Sequence, residues 1–182
     1  LKLEQGERPC TDTETIFLPG VMAHLPDQRD NFLLYKATVA YHWAQVRFGT
    51  FHPALLGLLE QHPTPDLALR CYHALETERL DACLARELPG LHREMQRLRG
   101  ELLGTDSATD AAWRERVSVL HAAESTAMDS LSLVPDLLSH KLPPLSIDQG
   151  RLQPALALEV MSRRIEREKA QLRVSLKAME DE

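Results

Sequence analysis

The hydrophobic positions of this chain recur mainly at helical spacing. Between residues 30 and 51 the apolar positions follow the i, i+3, i+4, i+7 rule, which predicts a helix. Asp30 or Asn31 can cap its first turn, and Gly49 can end it because glycine accepts the left-handed conformation that follows many helices. The stripe consists of Leu34, Ala37, Thr38, Tyr41, Ala44, Gln45 and Phe48.

Further apolar side chains of the same segment lie outside this stripe. They are Phe32, Leu33, Val39, Ala40 and Trp43. A helix that is apolar on most sides is typical of a buried position with neighbours all round. The segment also carries six of the nine aromatic side chains of the chain. We therefore expect it to be the central helix of the core.

Shorter elements are predicted on both sides of this helix. Residues 15–18 form a β-prone run that Pro19 and Gly20 end, which predicts one short strand or an extended strap laid on the helices. Residues 105–110 are predicted to form a solvent-exposed loop. Further helices are expected over 54–61, 66–88, 91–103, 113–128 and about 153–179, with a possible short helix over 136–141.

The pattern predicts an all-α fold, an irregular multi-helix domain around one central apolar helix, with a short extended strap and a long C-terminal helix. The Leu-, Ala-, Glu- and Arg-rich composition with 5% aromatic residues agrees with helices. We divide the chain into a flexible or extended leader (1–14), a helical domain (15–150) and a long charged helix (151–182). Because the chain starts at Leu1 without a methionine and ends in a charged tail, we expect a fragment whose last helix leads toward a missing domain.

Charge and cysteine content exclude several classes of protein. The net charge is −6, with 27 acidic and 21 basic residues, whereas binding to a phosphate backbone requires a basic surface. Nucleic acid is therefore not an expected partner. No run of about 18 apolar residues is present, so a membrane is not an expected partner either. The three cysteines, Cys10, Cys71 and Cys83, form no C-x-x-C pair. This sparse, odd count is typical of a reducing compartment and predicts a cytoplasmic protein.

The sharpest catalytic hypothesis is a zinc hydrolase with His42 and Glu76 as ligands. Zinc hydrolases of the H-E-x-x-H type need two histidines one helical turn apart and a glutamate after the first. Here Trp43 follows His42, and Val46 occupies the second histidine position. We therefore expect a structural histidine, no catalytic residue, no bound metal and no cofactor. A degenerate zincin-like hydrolase remains the alternative from the enzyme class.

Glu76, Arg79 and Asp81 form a second constellation. Glu76 and Arg79 are three residues apart, so they share one helix face and can form an ion pair. Alternatively, the planar guanidinium reaches a carboxylate or a backbone carbonyl near the helix of residues 30–51 and fixes the packing of two helices. Both interpretations stay open at the level of the sequence.

Three segments in this order resemble a known family. They are the strap Thr13-Glu14-Thr15-Ile16-Phe17-Leu18-Pro19, the helix from Asn31-Phe32-Leu33-Leu34-Tyr35-Lys36 to Arg47-Phe48-Gly49-Thr50-Phe51, and Ala74-Leu75-Glu76-Thr77-Glu78-Arg79-Leu80-Asp81 followed by Pro89-Gly90-Leu91. They are similar to the helical region that precedes the von Willebrand factor A domain in CbbO and NorD proteins. The resemblance covers about residues 12–95. Its motif residues are Asn31, Tyr35, Lys36, His42, Phe48, Gly49, Glu76, Arg79 and Asp81.

This resemblance implies a function without chemistry of its own. CbbO and NorD are accessory proteins of a MoxR-type AAA+ ATPase hexamer, so the chain would be an adaptor that positions the ring relative to a client. The preferred client is Rubisco, reactivated through the full-length CbbO-type protein, and the alternative is NorD-like maturation of nitric oxide reductase. The metal-binding D-x-S-x-S motif of the A domain is absent, and Asp129-Ser130-Leu131-Ser132 only approximates it.

Overall fold

A computed structural model describes residues 8–103 and 111–180, and the predicted loop 105–110 lies outside these ranges. Within them the fold is all-α, as the sequence predicts. The strands are β1 (Cys10–Thr11) and β2 (Ile16–Phe17). The helices are α1 (Gln28–Arg47), α2 (Ala54–Gln61), α3 (Pro65–Glu87), α4 (Pro89–Leu103), α5 (Ala111–Val117), α6 (Ala127–Leu137) and α7 (Pro154–Glu180), with 3₁₀ turns at Ser118–His121 and Ile147–Gln149.

Helix α3 lies at the centre of the domain. It packs against α1, α2, α4, α6 and the 3₁₀ turn Ser118–His121, so it takes the place that the sequence assigns to α1. Pro65 occupies its first turn, where the missing N–H costs no hydrogen bond. Its buried side chains Tyr72 and Leu75 belong to the largest apolar cluster, which also contains Trp113 from α5 and Val134 from α6.

Helix α1 closes the other side of α3. Ala37, Tyr41 and Ala44 pack against Leu80 of α3 and Met95 of α4 in a second apolar cluster. The helix begins one turn earlier than the sequence suggests, because Asp27 is its cap and accepts a hydrogen bond from the Arg29 N–H at 2.6 Å. It ends where predicted, with Gly49 in the left-handed region at φ 71°.

The predicted strap is half of a small hairpin. Residues of β2 pair antiparallel with β1, Thr11 opposite Ile16 and Cys10 opposite Phe17. Cys10 and Thr11 are 7% and 1% exposed, so residues that the sequence assigns to the leader are part of the folded domain. The hairpin lies on α1.

Two helix predictions in the second half are wrong. The segment 113–128 is not one helix: a 3₁₀ turn follows α5, and Thr126 begins α6 with a capping box in which Asp129 is the reciprocal partner. The segment 136–141 is not a separate helix either, because α6 ends at Leu137 and residues 141–146 are irregular. The apolar period runs on from α5 into α6, so hydrophobicity alone does not show that a new helix begins at the capping box.

Helix α7 leaves the domain. Its first turns contact α2, and Ala157 is fully buried there. Nearly all residues after Met161 are exposed. Within the described residues, no helix combines the length and the apolar character needed to cross a membrane.

Candidate functional site

The Glu76 and Arg79 side chains meet inside the domain. They form the ion pair that their spacing suggests, and Arg79 also reaches a backbone carbonyl near α1, so both interpretations from the sequence apply. Arg79 Nε and Nη2 donate to the two Glu76 carboxylate oxygens, each at 2.7 Å. Arg79 Nη2 also donates to the Phe48 carbonyl oxygen at 3.0 Å, at the end of α1. The side chains are 2% and 0% exposed. The ion pair therefore joins α3 to the exit of α1.

Neighbouring hydroxyl groups complete this buried network. Thr50 Oγ1 donates to Glu76 Oε2 at 2.5 Å, and the Tyr72 hydroxyl donates to the Thr50 carbonyl oxygen at 2.5 Å. Burial by itself lowers the pKa of Arg79, but the hydrogen bonds and charge of Glu76 outweigh it and raise the pKa above its usual value. Both Glu76 oxygens are thus bound to protein groups, and this carboxylate holds the fold together rather than facing a ligand.

Asp81 belongs to a different network. Both of its carboxylate oxygens accept hydrogen bonds from Arg99 Nη1, at 2.7 and 2.6 Å. Arg99 Nε and Nη2 donate to Asp148 Oδ2 at 3.0 and 2.8 Å, and Asp148 is 1% exposed. Arg99 therefore ties α3 and α4 to the 3₁₀ turn before α7. The sequence does not reveal this role of Arg99, since residues 99 and 148 are far apart in the chain.

The side chain of His42, on α1, is fully buried against the loop that precedes α7. Its Nδ1 lies 2.8 Å from the Thr38 carbonyl oxygen, and burial lowers its pKa. His73 on α3 is close enough for the two imidazoles to interact, and burial lowers the pKa of His73 to about 4. Both histidines are therefore neutral near pH 7. This arrangement agrees with the expected structural histidine.

Asn31 and Tyr35 hold the segment before α1 against the helix. Asn31 Oδ1 accepts hydrogen bonds from the backbone N–H groups of His24 and Leu25, and its amide nitrogen donates to Leu25 O at 2.6 Å. The Tyr35 hydroxyl donates to the Pro19 carbonyl oxygen at 3.1 Å. Two motif residues of α1 therefore position the strap and the loop after it.

The outer face of α1 is not covered, contrary to the expectation from its apolar residues. Phe32 is 60% exposed, Val39 41% and Trp43 39%. These side chains line an open apolar groove of about 980 Å³ that runs between the strap and the start of α4. Its lining consists of Ile16, Leu18, Phe32, Tyr35, Lys36, Val39, Ala40, Trp43, Leu88 and Leu91.

The groove has a defined shape and one charged group. Trp43 packs edge-on against Phe48, with ring centroids 5.9 Å apart, so the indole has a fixed support. Lys36 Nζ lies 4.6 Å from the centre of the Phe32 ring, a cation–π arrangement at the groove wall. Exposed apolar surface that is contiguous and concave is typical of a protein-binding site. This groove is the candidate functional site.

His42 and Glu76, the ligands of the zinc hypothesis, lie against Thr38 and Arg79. Among residues 8–103 and 111–180, no three His, Cys, Asp or Glu side chains are grouped so that they could hold a metal ion. Asp129, from the approximate D-x-S-x-S segment, caps α6 by accepting from the Thr126 N–H and hydroxyl at 2.7 and 2.8 Å. Its role in the described structure is that of a helix cap.

Comparisons with known proteins leave the family open. No protein-family model, no curated protein and no solved structure matches the chain.

Proposed function

We propose that this chain is a non-enzymatic interaction module that binds a partner protein through the apolar groove on α1. The observation that carries the proposal is the exposure of Phe32, Val39 and Trp43 in one concave surface. Aromatic residues with rigid support supply much contact area for little loss of conformational entropy. The groove is therefore suited to a partner segment with an apolar face.

The proposed partner is a MoxR-type AAA+ ATPase hexamer, with the chain acting as the helical region of a CbbO-like adaptor. The residues that carry the resemblance are close together: Ile16 of the strap and Lys36 of α1 line the groove, and Arg79 of α3 binds the end of α1. The first two residues thus belong to the groove, and the third holds the helix that carries it. In this proposal the ATPase performs the chemistry, and Rubisco is the client through the full-length protein.

A co-migration experiment tests the proposal. The chain is mixed with the MoxR-type ATPase hexamer encoded in the same genome, in the presence of ATP, and run on a sizing column. We expect the wild-type chain to elute with the hexamer and the double variant Phe32→Ser/Trp43→Ser to elute alone. Val119→Ser is the matched control, since Val119 is 54% exposed but lies outside the groove.

Each result has a definite meaning. Binding by the groove variant equal to that of the wild type would show that the groove is not the docking surface. Failure of the folded wild-type chain to bind the hexamer would overturn the adaptor function for this ATPase class. Hexamers of the CbbQ and NorQ types, offered separately, distinguish the CbbO-like proposal from the NorD-like one.

A further inference from the structure

The exposed side of α1 carries basic residues between its apolar ones. Arg29, Lys36 and Arg47 recur at helical spacing with Phe32 and Trp43, so all five lie along one stripe of the helix. The three basic side chains, which we call the basic row, are exposed. Within the described residues none of the three forms an ion pair. The apolar groove is thus accompanied by unpaired positive charge.

Two cations of the basic row are held against aromatic rings. Lys36 Nζ lies over the Phe32 ring in the groove wall. The Arg47 guanidinium carbon lies 5.6 Å from the centre of the Phe48 ring, which in turn supports Trp43. These cation–π contacts favour one position of each charge relative to the apolar surface. A partner therefore meets the apolar and the basic groups in a defined arrangement.

The acidic residues of α1 and α4 are bound to another group. Asp30 is the one acidic residue of α1, and its carboxylate binds Arg97 of α4. The two acidic residues of α4, Glu94 and Glu101, also bind Arg97. No carboxylate of these two helices is therefore paired with the basic row.

The acidic residues of the other elements beside the groove are engaged elsewhere as well. In the hairpin, Glu14 pairs with Arg167 of α7, and Asp12 accepts hydrogen bonds from two backbone N–H groups of the loop between the strands. Glu87, at the end of α3, lines a different, small pocket. The basic row thus has no anionic partner among the described residues, and a carboxylate from another protein can supply one.

The length of the groove suits a helix. Its lining follows α1 from Phe32 to Trp43, which is three turns or about 16 Å of helix. Strand β2 has only two residues, so it offers few backbone groups for the addition of a further strand. A helix with apolar residues at i, i+4, i+7 and i+11 spans the same length, and helices of this kind bind apolar grooves.

We propose that the occupant of the groove is an acidic amphipathic helix of the partner protein, an inference that rests on the proposed docking function of the groove. Its apolar face contacts Phe32, Val39 and Trp43, and its carboxylates meet Lys36 and Arg47. These two cations are eleven residues apart on one stripe, so carboxylates about 16 Å apart on the bound helix reach both.

The signs of the charges disfavour two other occupants. The second half of α7 from another copy of the chain, residues 162–179, contains six basic and two acidic residues, so it has the same sign as the basic row. An anionic membrane surface would attract basic and aromatic residues. However, the chain has a net charge of −6, and a flat bilayer does not fill a concave groove.

A displayed peptide library tests the charge of the occupant without the ATPase. Helical peptides of about 18 residues carry leucine at i, i+4, i+7 and i+11, and the flanking positions vary among Glu, Gln and Lys. Sorting against the folded wild-type chain should enrich peptides with Glu at the flanking positions. Recovery of neutral or basic peptides, or of none, would overturn the proposal.

Charge reversal in the chain tests the contact with the basic row. For an enriched acidic peptide, fluorescence anisotropy should show a Kd about tenfold higher in Lys36→Glu/Arg47→Glu, and this variant should prefer the corresponding Lys peptide. Arg173→Glu/Lys177→Glu is the matched control, because it changes the net charge equally at exposed positions of α7. The control should keep the wild-type affinity within about twofold. Equal losses in the two double variants would contradict a contact with the basic row.

The failure of this inference is distinguishable from failure of the proposed function. If the library yields no acidic peptide but hexamer binding is still lost in Phe32→Ser/Trp43→Ser, the acidic helix is wrong and the docking function stands. If acidic peptides are selected by a chain that does not bind the hexamer, the acidic helix stands and the ATPase is the wrong partner. Binding to phosphatidylserine vesicles that Lys36→Glu/Arg47→Glu abolishes, with no peptide selected, would replace the helix by a membrane surface.

Discussion

Arg79 holds Glu76 by two parallel hydrogen bonds of 2.7 Å inside the domain, three residues along the same helix. A surface pair at this spacing contributes little to stability, about 0.3 to 0.5 kcal/mol. This pair is different because both side chains are buried and because Arg79 also binds the carbonyl oxygen of Phe48. The pair therefore connects α3 to the end of α1.

Removal of the guanidinium should destabilise the domain strongly. Arg79→Ala leaves the Glu76 carboxylate buried without its partner, and we expect a loss of about 3 to 5 kcal/mol in the free energy of unfolding. Arg79→Lys should lose nearly as much, because one ammonium group cannot replace the planar fork that binds two carboxylate oxygens. Urea denaturation followed by circular dichroism measures both values.

The exposed pair between Arg163 and Glu159 is the control for this measurement. Its side chains are 69% and 55% exposed. We expect Arg163→Ala to change the free energy of unfolding by less than about 1 kcal/mol. A small effect of Arg79→Lys, comparable with that of Arg163→Ala, would show that the planar geometry is not needed.

Gly150 is predicted to tolerate no side chain. Its φ is 59°, and a Cβ atom built there would lie 2.1 Å from the Pro9 carbonyl oxygen and 2.8 Å from His42 Nε2. Gly150→Ala therefore has to displace the backbone of the segment before β1 as well as adopt a left-handed conformation. We expect a lower melting temperature and a loss of more than about 2 kcal/mol.

Gly49 separates these two effects. Its φ is 71°, but a Cβ atom there would have no neighbour within 4 Å. Gly49→Ala should therefore lose only the conformational preference, about 1 kcal/mol. Equal losses in the two variants would mean that the contact of Gly150 with Pro9 is unimportant.

Acid should destabilise the domain through His73. Burial, with His42 nearby, lowers the pKa of His73 to about 4 in the folded protein, whereas an unfolded chain has a value near 6.5. The unfolded state therefore binds more protons between these values, and stability falls as the pH falls from 6.5 to 4. The contribution of His73 is about 3 kcal/mol over this range.

The measurement compares the pH dependence of unfolding in the wild type and in His73→Gln. The variant should lose less stability between pH 6.5 and pH 4, because its amide side chain does not bind a proton in this range. Parallel pH profiles would contradict a neutral, buried His73.

Zinc is not expected to stabilise the chain. A metal that binds only the folded state raises the free energy of unfolding by RT ln(1 + [L]/Kd), so a micromolar site would be visible as a higher melting temperature in excess zinc. We expect no shift and well below one equivalent of zinc after dialysis. One retained equivalent would favour the zincin-like alternative.

The sequence predicts most of the helices because their ends carry local signals. Pro65 starts α3, and Gly49 with φ 71° follows α1. The break between α5 and α6 is missed because the apolar period continues across it, while the capping box of Thr126 and Asp129 starts a new helix by hydrogen bonds that a hydrophobic pattern does not contain.

Two residues of the groove, Tyr35 and Lys36, are motif residues in the sequence, but the groove itself is not predicted. The Arg79 contact to a backbone carbonyl is among the predicted alternatives, since a buried helix face limits where a guanidinium can go. The exposure of Phe32 and Trp43 is not predicted, because the same apolar residues describe a covered helix and a docking surface. Which of the two occurs depends on the neighbouring elements, and these come from distant parts of the chain.

The hydrogen bond from the Arg151 N–H to the Pro9 carbonyl oxygen, 2.9 Å long, has a mechanical consequence. Arg151 lies just before α7, and Pro9 lies just before β1. Tension applied to the C-terminal end of α7 would load its packing on α2 and then, through Arg151, the segment before β1. A pull on this helix would therefore be transmitted both to α2 and to the start of the folded chain.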